Sequence, residues 1–323
     1  MTDLGRIVVL AGGLSHERDI SLRSGGRVAD ALRDLGLDVL VRDADASFVH
    51  DARQDPPAVV LPLLHGAQGE DGSLPAVLDL LGLPFVGTTA AGARAAFDKP
   101  TAATIVGSAG LAVPAGVVLP HAAFRDLGAD ALLRGVVSAL GLPLVVKPAR
   151  GGSALGCSVV RDASELPSAM VGCFAYGEDA LLQQQVQGSE VAVSVVEDER
   201  GPVALLPVEI VPDGDFYDYQ ARYTAGATEF FVPARLTDEV AAAAGAAALT
   251  AHAALGLRDL SRTDLVVDSQ GTPWFLEVNV APGMTETSLF PLAVEGSGQD
   301  LGTVLLDLLR AAASRGEVRA AVR

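Results

Sequence analysis

The sequence predicts an α/β protein of three consecutive units, with a parallel sheet in the first. Three observations carry this. Within residues 1–88 short apolar runs alternate with helical patterns, and strands joined through helices form parallel sheets. After residue 185 strand-like runs dominate, and the turn cluster Asp268-Ser269-Gln270-Gly271 separates two apolar runs, which marks a hairpin. The 323 residues, 50% hydrophobic and 20% charged, suffice for two or three globular domains at roughly 100–200 residues each.

Residues 6–10 form the first predicted strand, broken at Ala11-Gly12-Gly13, and a helical pattern covers 22–35, closed by Gly36. Residues 37–41 and 58–64 read as strands, the second ending at His65-Gly66. A helix over 73–81 stops at Gly82, 84–86 reads as a short strand, and the unit closes near Thr88. The second unit, 89–184, opens on a helix over 91–109 and a strand at 117–119. A helix over 129–140 ends at Gly141, followed by an apolar strand at 142–147, a loop at 148–156 and a strand at 157–161. A helix at 163–175 and a strand at 180–184 complete it. The third unit, 185–323, has strands at 191–197 and 203–210, then a long aromatic loop over 212–233. That loop holds Phe216, Tyr217, Tyr219, Tyr223, Phe230 and Phe231, and long ordered loops often serve as lids. A helix over 238–255, a hairpin over 264–278 and a last helix over 301–313 follow.

Charge narrows the function. With 23 basic and 40 acidic residues the chain carries −17, whereas duplex binding needs a basic footprint, so no nucleic-acid partner is expected. A few well-placed cations are enough to hold a phosphorylated small molecule. Cys157 and Cys173 have no zinc spacing and make no disulfide framework; they read as reduced thiols of a cytoplasmic protein. The apolar run at 7–14 continues into His16-Glu17-Arg18-Asp19 without a cleavage-like ending. The Ala-rich stretch 240–257 is shorter than the roughly 20 apolar residues of a membrane span, and no membrane partner is expected.

The strongest chemical signal is Arg262-Thr-Asp264 with Glu277-Val-Asn279. Pairing Val267 with Thr272 sets Asp264 opposite Phe275 and Arg262 opposite Glu277. Residues two apart share a face, so Arg262, Asp264, Glu277 and Asn279 are expected on one side, with Leu265, Val267, Leu276 and Val278 on the other. Two carboxylates and an amide oxygen suit Mg²⁺, which takes oxygen ligands and often bridges to nucleotide phosphates; an exposed polar face balanced by Arg262 would present the same residues. The second signal is Lys147-Pro-Ala-Arg-Gly-Gly-Ser153-Ala-Leu-Gly156, a lysine ending an apolar strand ahead of a glycine-rich loop. Glycines let backbone N–H groups approach an anion and the lysine adds charge, although a plain surface turn has the same composition. The turn carrying Glu17 and the segment from His65 to Gly72 follow strand ends, where α/β sheets place ligands. Each is also compatible with a structural role.

Together these segments resemble the D-alanine–D-alanine ligases of the ATP-grasp superfamily. The resemblance runs in order over nearly the whole chain, from Gly12 to Leu289. Its specific stretches are Ser15-His-Glu-Arg-Asp-Ile-Ser-Leu22, His65-Gly-Ala-Gln-Gly-Glu-Asp-Gly72, Phe216-Tyr-Asp-Tyr219, and the run from Asn279 through Pro282-Gly283-Met284-Thr285 to Ser288-Leu289. It implies a three-domain ATP-grasp architecture, with an N-terminal Rossmann-like parallel sheet and a nucleotide cleft between central and C-terminal α+β domains. Asp264, Glu277 and Asn279 would hold two Mg²⁺ ions, or Mn²⁺ in their place. Lys99 and Lys147 would bind phosphates, with Arg222 beside them. Glu190 would take the ribose, while Phe216, Leu276 and the hinge residues Gln183, Gln184 and Val186 would surround the adenine. Glu17 would meet the first D-alanine's ammonium near His65, and Ser288 with Leu289 would hold the second one's carboxylate. Ser153 and Tyr223 would close a lid on Glu17, and Arg262 with the Gly283 N–H would form an oxyanion hole. The implied reaction makes D-alanyl-D-alanine for peptidoglycan through a D-alanyl phosphate, in a cytoplasmic homodimer.

The sequence also departs from that family's usual pattern. Arg222 stands where a lysine is common, and Gln183-Gln184 where Glu-Lys is common. These departures keep open a ligase for a different amino-acid pair and, more remotely, a non-catalytic nucleotide-binding regulator. Tyr223 stands where D-lactate-using relatives carry histidine, which favours D-alanine.

Overall fold

The computed structural model describes residues 4–177, 179–214, 217, 222, 224 and 226–321. Its first layer is β1 (Ile7–Ala11), α1 (Arg18–Asp34), β2 (Val39–Asp43), α2 (Phe48–Gln54), β3 (Val59–Pro62), α3 (Ala67–Glu70) and α4 (Ser73–Leu81). The strands form a parallel sheet in the order β2-β1-β3. Every residue of β1 is buried, as expected for a strand covered on both faces. Helix α1 starts four residues before the apolar pattern does. Its polar Ser21 and Ser24 point inward: Ser21 Oγ donates to Leu63 O and accepts from Gly12 N, and Ser24 Oγ accepts from Met284 N. The 84–86 strand reduces to a single parallel bridge between Val60 and Phe85.

The helix expected over 91–109 is two helices, α5 (Ala90–Phe97) and α6 (Lys99–Ser108). Asp98 adopts an extended conformation and accepts from Thr101 N, and Pro100 fits the first turn of α6. The break places Lys99 at the head of α6. A second sheet follows from β4 (Gly116–Pro120), α7 (His121–Leu127), α8 (Ala129–Leu140), β5 (Leu144–Pro148), β6 (Ser158–Val160), α9 (Leu166–Phe174) and β7 (Asp179–Gln184). It is antiparallel, in the order β4-β7-β5-β6.

The third sheet comprises β8 (Ser189–Asp198), β9 (Gly201–Ala204), β10 (Val208–Pro212), β11 (Thr228–Phe231), β12 (Leu260–Val267) and β13 (Pro273–Asn279), ordered β11-β10-β8-β12-β13 with β9 also on β8. Helices α10 (Asp238–Ala254), α11 (Leu289–Gly296) and α12 (Leu301–Ala321) surround it. The strand expected over 203–210 splits into β9 and β10, because Pro207 has no N–H for the ladder. The expected loop over 212–233 contains β11, which pairs Phe230 with Ile210.

The hairpin register differs from the predicted one. Leu265 faces Phe275, but a bulge then sets Asp264 opposite Glu277 and Arg262 opposite Asn279. Leu276 is the extra residue. It leaves the core side to which strict alternation assigned it and lines the same cavity as Glu277. A bulge re-aims side chains in this way. The opposite face buries Val191, Val193, Leu265, Phe275 and Val278 against Ala93, Ala102 and Val106 of α5 and α6 and against α10. On the other side one core runs from Ile7, Leu32 and Leu61 through Leu305 and Leu309 of α12 to Phe290 and Ile210, which fixes the first layer against the third sheet.

Among the described residues no helix is long and apolar enough to cross a membrane. Phe275 has no exposed surface, so Phe275→Ala is expected to cost about 3–5 kcal/mol in a urea melt. A cost below about 1 kcal/mol would contradict the packing described.

Candidate functional site

Two cavities meet at a waist. The larger, about 480 Å³, lies between the second and third sheets. It is lined by Lys147 from β5, Gln183 and Gln184 from β7, Gln185 and Val186 beyond it, Glu190 from β8, and Asp264, Val266 and Leu276 from the hairpin. The smaller, about 100 Å³, reaches toward the N-terminal sheet and is lined by Glu17, His65, Glu70, Arg262, Asn279 and Gly283, with Ser153, Ser288 and Leu289. Lys99, Gly151, Gly152, Tyr217, Arg222 and Glu277 line both.

The waist is an electrostatic assembly. Lys99 Nζ donates to Gly151 O at 2.6 Å and lies 3.4 Å from Glu277 Oε2. Arg262 grips Asp264 with both prongs of its fork, at 2.7 and 2.8 Å, and both residues are buried. Buried charges persist only when paired. Enclosure pushes the Glu277 carboxyl up, but Lys99, Lys147, Arg222 and Arg262 outweigh it and hold the group down at about 2. Burial lowers the Lys147 ammonium, opposed by Glu277. Enclosure raises Glu190 to about 7 despite the pull of Arg222. Four cations thus face Glu277, with Asp264 bound to Arg262 and Glu190 near the midpoint of its titration at neutral pH. That surplus of positive charge suits a polyanion.

The hairpin also offers hard oxygen donors. Asp264 and Glu277 are direct cross-strand partners and Asn279 is two residues on. Asn279 Oδ1 accepts from Ala281 N at 2.7 Å, which leaves it a second lone pair. Among the described residues no cluster of three or more His, Cys, Asp or Glu could cage a metal by itself. Two carboxylates and one amide fit Mg²⁺, which keeps waters and takes further ligands from substrate phosphates.

The smaller cavity is polar and closely built. Ser153 lies in a left-handed turn, φ 52°, and its Oγ donates to Glu17 Oε1. A Cβ at Gly66 would stand 2.9 Å from Glu17 Oε2, so the backbone must stay bare there. His65 Nδ1 donates to Ala281 O at 3.1 Å, and its buried Nε2 has no partner among the described residues. Burial lowers the imidazole's pKa, against the pull of Glu17. Ser288 Oγ accepts from Thr285 N at 3.0 Å, and a Cβ at Gly283 would fall 2.8 Å from it. Ser288 and Leu289 open α11, and a helix N-terminus favours a carboxylate.

Two residues expected in the site, Phe216 and Tyr223, lie outside the described residues. Gln184 is exposed and donates its amide to Leu140 O at 2.7 Å, so its side chain serves the wall of the cavity. Sequence reasoning missed Glu70. It is buried, and its Oε1 accepts from Gly66 N at 2.8 Å. Burial, with Glu17 adding to it, raises the carboxyl to about 8. Its position in the segment after β3 was a signal, but only α3 turns it inward.

The family described as D-ala D-ala ligase C-terminus matches residues 105–310. A D-alanine–D-alanine ligase of Anaeromyxobacter dehalogenans is 41% identical over 293 residues, which cover 91% of this chain and 92% of that one. The crystal structure of D-alanine–D-alanine ligase from Bacillus anthracis superposes with TM-score 0.80 at 27% identity, covering 96% of this chain and 98% of the other. VanG D-Ala:D-Ser ligase from Enterococcus faecalis gives TM-score 0.81 at 26% identity, covering 95% and 99%.

Glu70 generates a pH prediction. Its folded pKa of about 8 exceeds the unfolded value, so the unfolded chain releases this proton first and stability falls as pH rises from about 4.5 to 8. Glu70→Gln keeps an acceptor for Gly66 N and removes the titration. The variant should gain on the wild type by up to about 1.4 kcal/mol per pH unit across that window, read from urea melts at pH 5, 6, 7 and 8. A constant difference across the series would contradict the buried, protonated carboxyl.

Proposed function

Given that the chain belongs to the D-alanine–D-alanine ligase family, we propose that it joins two D-alanine molecules at the expense of ATP, for peptidoglycan synthesis in the cytoplasm. The observation that carries this reading is the shared waist. A nucleotide in the larger cavity brings its terminal phosphate to Lys99, Arg222 and Glu277, which also border the smaller, amino-acid-sized cavity. A carboxylate oxygen of the first D-alanine attacks the γ-phosphorus, the bond to the β–γ bridging oxygen breaks, and ADP leaves. The amine of the second D-alanine attacks the acyl carbon of the D-alanyl phosphate, phosphate departs with the C–O electrons, and the ammonium proton is lost.

The chain positions reactants and neutralises charge, as is general for phosphoryl transfer. Lys99 and Lys147 face the polyphosphate, Glu190 the ribose, and Gln183 with Leu276 the base. Glu17, held by Ser153, meets the first ammonium, and the head of α11 at Ser288-Leu289 meets the second carboxylate. Arg262, set rigidly by Asp264, and the Gly283 N–H face the oxygen that gains charge at the acyl carbon. Asp264, Glu277 and Asn279 would hold two Mg²⁺ ions, with Mn²⁺ as a substitute. The bound metal would neutralise phosphate charge. A homodimer belongs to the same reading.

Purified protein given ATP, Mg²⁺ and D-alanine should release ADP and phosphate and form the dipeptide, read by mass spectrometry. Chelation should abolish turnover and Mn²⁺ should restore it. Glu277→Gln should lower kcat by about 10²–10³-fold with an unchanged far-UV spectrum. ADP formed only with another amino-acid pair would overturn the substrate, and no ADP with any amino acid would overturn the reaction.

A further inference from the structure

The waist holds a contact that the reaction scheme leaves unexplained. The Arg222 guanidinium carbon stands 4.3 Å from the centroid of the Tyr217 ring. Its Nε donates to Tyr217 O at 3.4 Å. Tyr217 is only 5% exposed, sits in the core with Ile210, Met284 and Leu289, and meets Phe230 of β11 edge-on at 6.4 Å and 84°. A rigid run of contacts therefore leads from the sheet edge, through a ring, to a cation lining both cavities.

A guanidinium is a planar fork on a long flexible stem, and it binds oxyanions through N–H groups in its plane. A ring beneath the guanidinium carbon restricts its movement, and with Nε given to Tyr217 O the terminal N–H groups remain to meet an oxyanion. No carboxylate among the described residues forms a salt bridge with Arg222, unlike Arg262, whose fork is committed to Asp264. An ammonium at this position would gain much less, because a point charge has no plane to orient.

We propose that Tyr217 is a positioning residue for Arg222: its ring holds the guanidinium so that the in-plane N–H groups meet the terminal phosphoryl group at the waist. This rests on the ligase reading, and it explains why arginine serves here without being a mere substitute for lysine. The test measures equilibrium binding of ADP and of AMP-PNP, an ATP analogue that is not turned over, alongside kcat and KM for ATP. Tyr217→Met removes the ring at similar volume, Tyr217→Leu repeats this at another volume, Tyr217→Phe keeps the ring, and Arg222→Met removes the cation; thermal melts identify any variant that fails to fold. Tyr217→Met should weaken AMP-PNP about tenfold and ADP by no more than about twofold, and Tyr217→Phe should lose several-fold less. In the Arg222→Met background Tyr217→Met should cost nothing further, since the ring then has no cation to orient. Multiplying losses in the double variant, equal losses for Phe and Met at 217, or equal weakening of ADP and AMP-PNP would overturn the proposal. The coupled binding pattern without dipeptide formation would reject the ligase reading alone, whereas dipeptide formation with multiplying losses would reject the positioning role alone.

Discussion

A partly enclosed carboxylate faced by four cations is the interaction on which the site depends. Glu277 in isolation would be driven toward its neutral form by its surroundings. It is held ionised by Lys99, Lys147, Arg222 and Arg262, and each of these arrives from a different part of the chain. Lys99 is set by the Asp98 break ahead of α6, Lys147 by β5, Arg262 by its register against Asn279, and Arg222 by its seat on Tyr217. The elements of the fold are thus tied to one charge cluster. The cluster carries more positive than negative charge, which suits a polyanion.

The smaller cavity depends on close backbone approach. Gly66 leaves room for Glu17, and Gly283 leaves room for Ser288. A side chain at either would push that polar group aside, and at Gly66 it would also meet a backbone φ of 68°. The left-handed turn at Ser153 and Ala154 lets the glycine-rich loop reach Glu17 from the second sheet. Backbone strain of this kind is retained where surroundings over-determine it, and here it carries Ser153 to Glu17 in the smaller cavity while Gly151 and Gly152 line both cavities.

Much of this was legible in the sequence, and the exceptions have physical causes. Helix α4 and helix α8 lie where apolar periodicity and a terminal glycine put them, at Ser73–Leu81 and Ala129–Leu140, because local signals alone decide those ends. The acidic face of the hairpin was legible from residue alternation. The bulge was not: a one-residue insertion has no composition of its own, and it turned Leu276 toward the cavity, on top of a turn in which Val267 pairs with Pro273 and not with Thr272 as alternation had it. The split of 91–109 was visible only as Asp98 and Pro100, weak marks inside an otherwise helical Ala-rich pattern. Helices α2, α3, α7 and α11 were missed because short helices depend on tertiary contacts more than on periodicity. Glu70 was missed for that reason: a carboxylate on a one-turn helix reads as solvated until its helix is known to face inward.

In the proposed reaction the bulged hairpin, the two lysines and the two arginines form one site where nucleotide phosphate meets amino-acid carboxylate. The most direct measurement is anomalous X-ray diffraction from crystals grown with Mn²⁺, AMP-PNP and D-alanine. Manganese peaks are expected within bonding distance of Asp264, Glu277 and Asn279, with the terminal phosphate between Lys99 and Arg222 and an amino acid against Glu17. Manganese and phosphate bound away from the hairpin, or D-alanine on the far side of the chain from the phosphate, would contradict this.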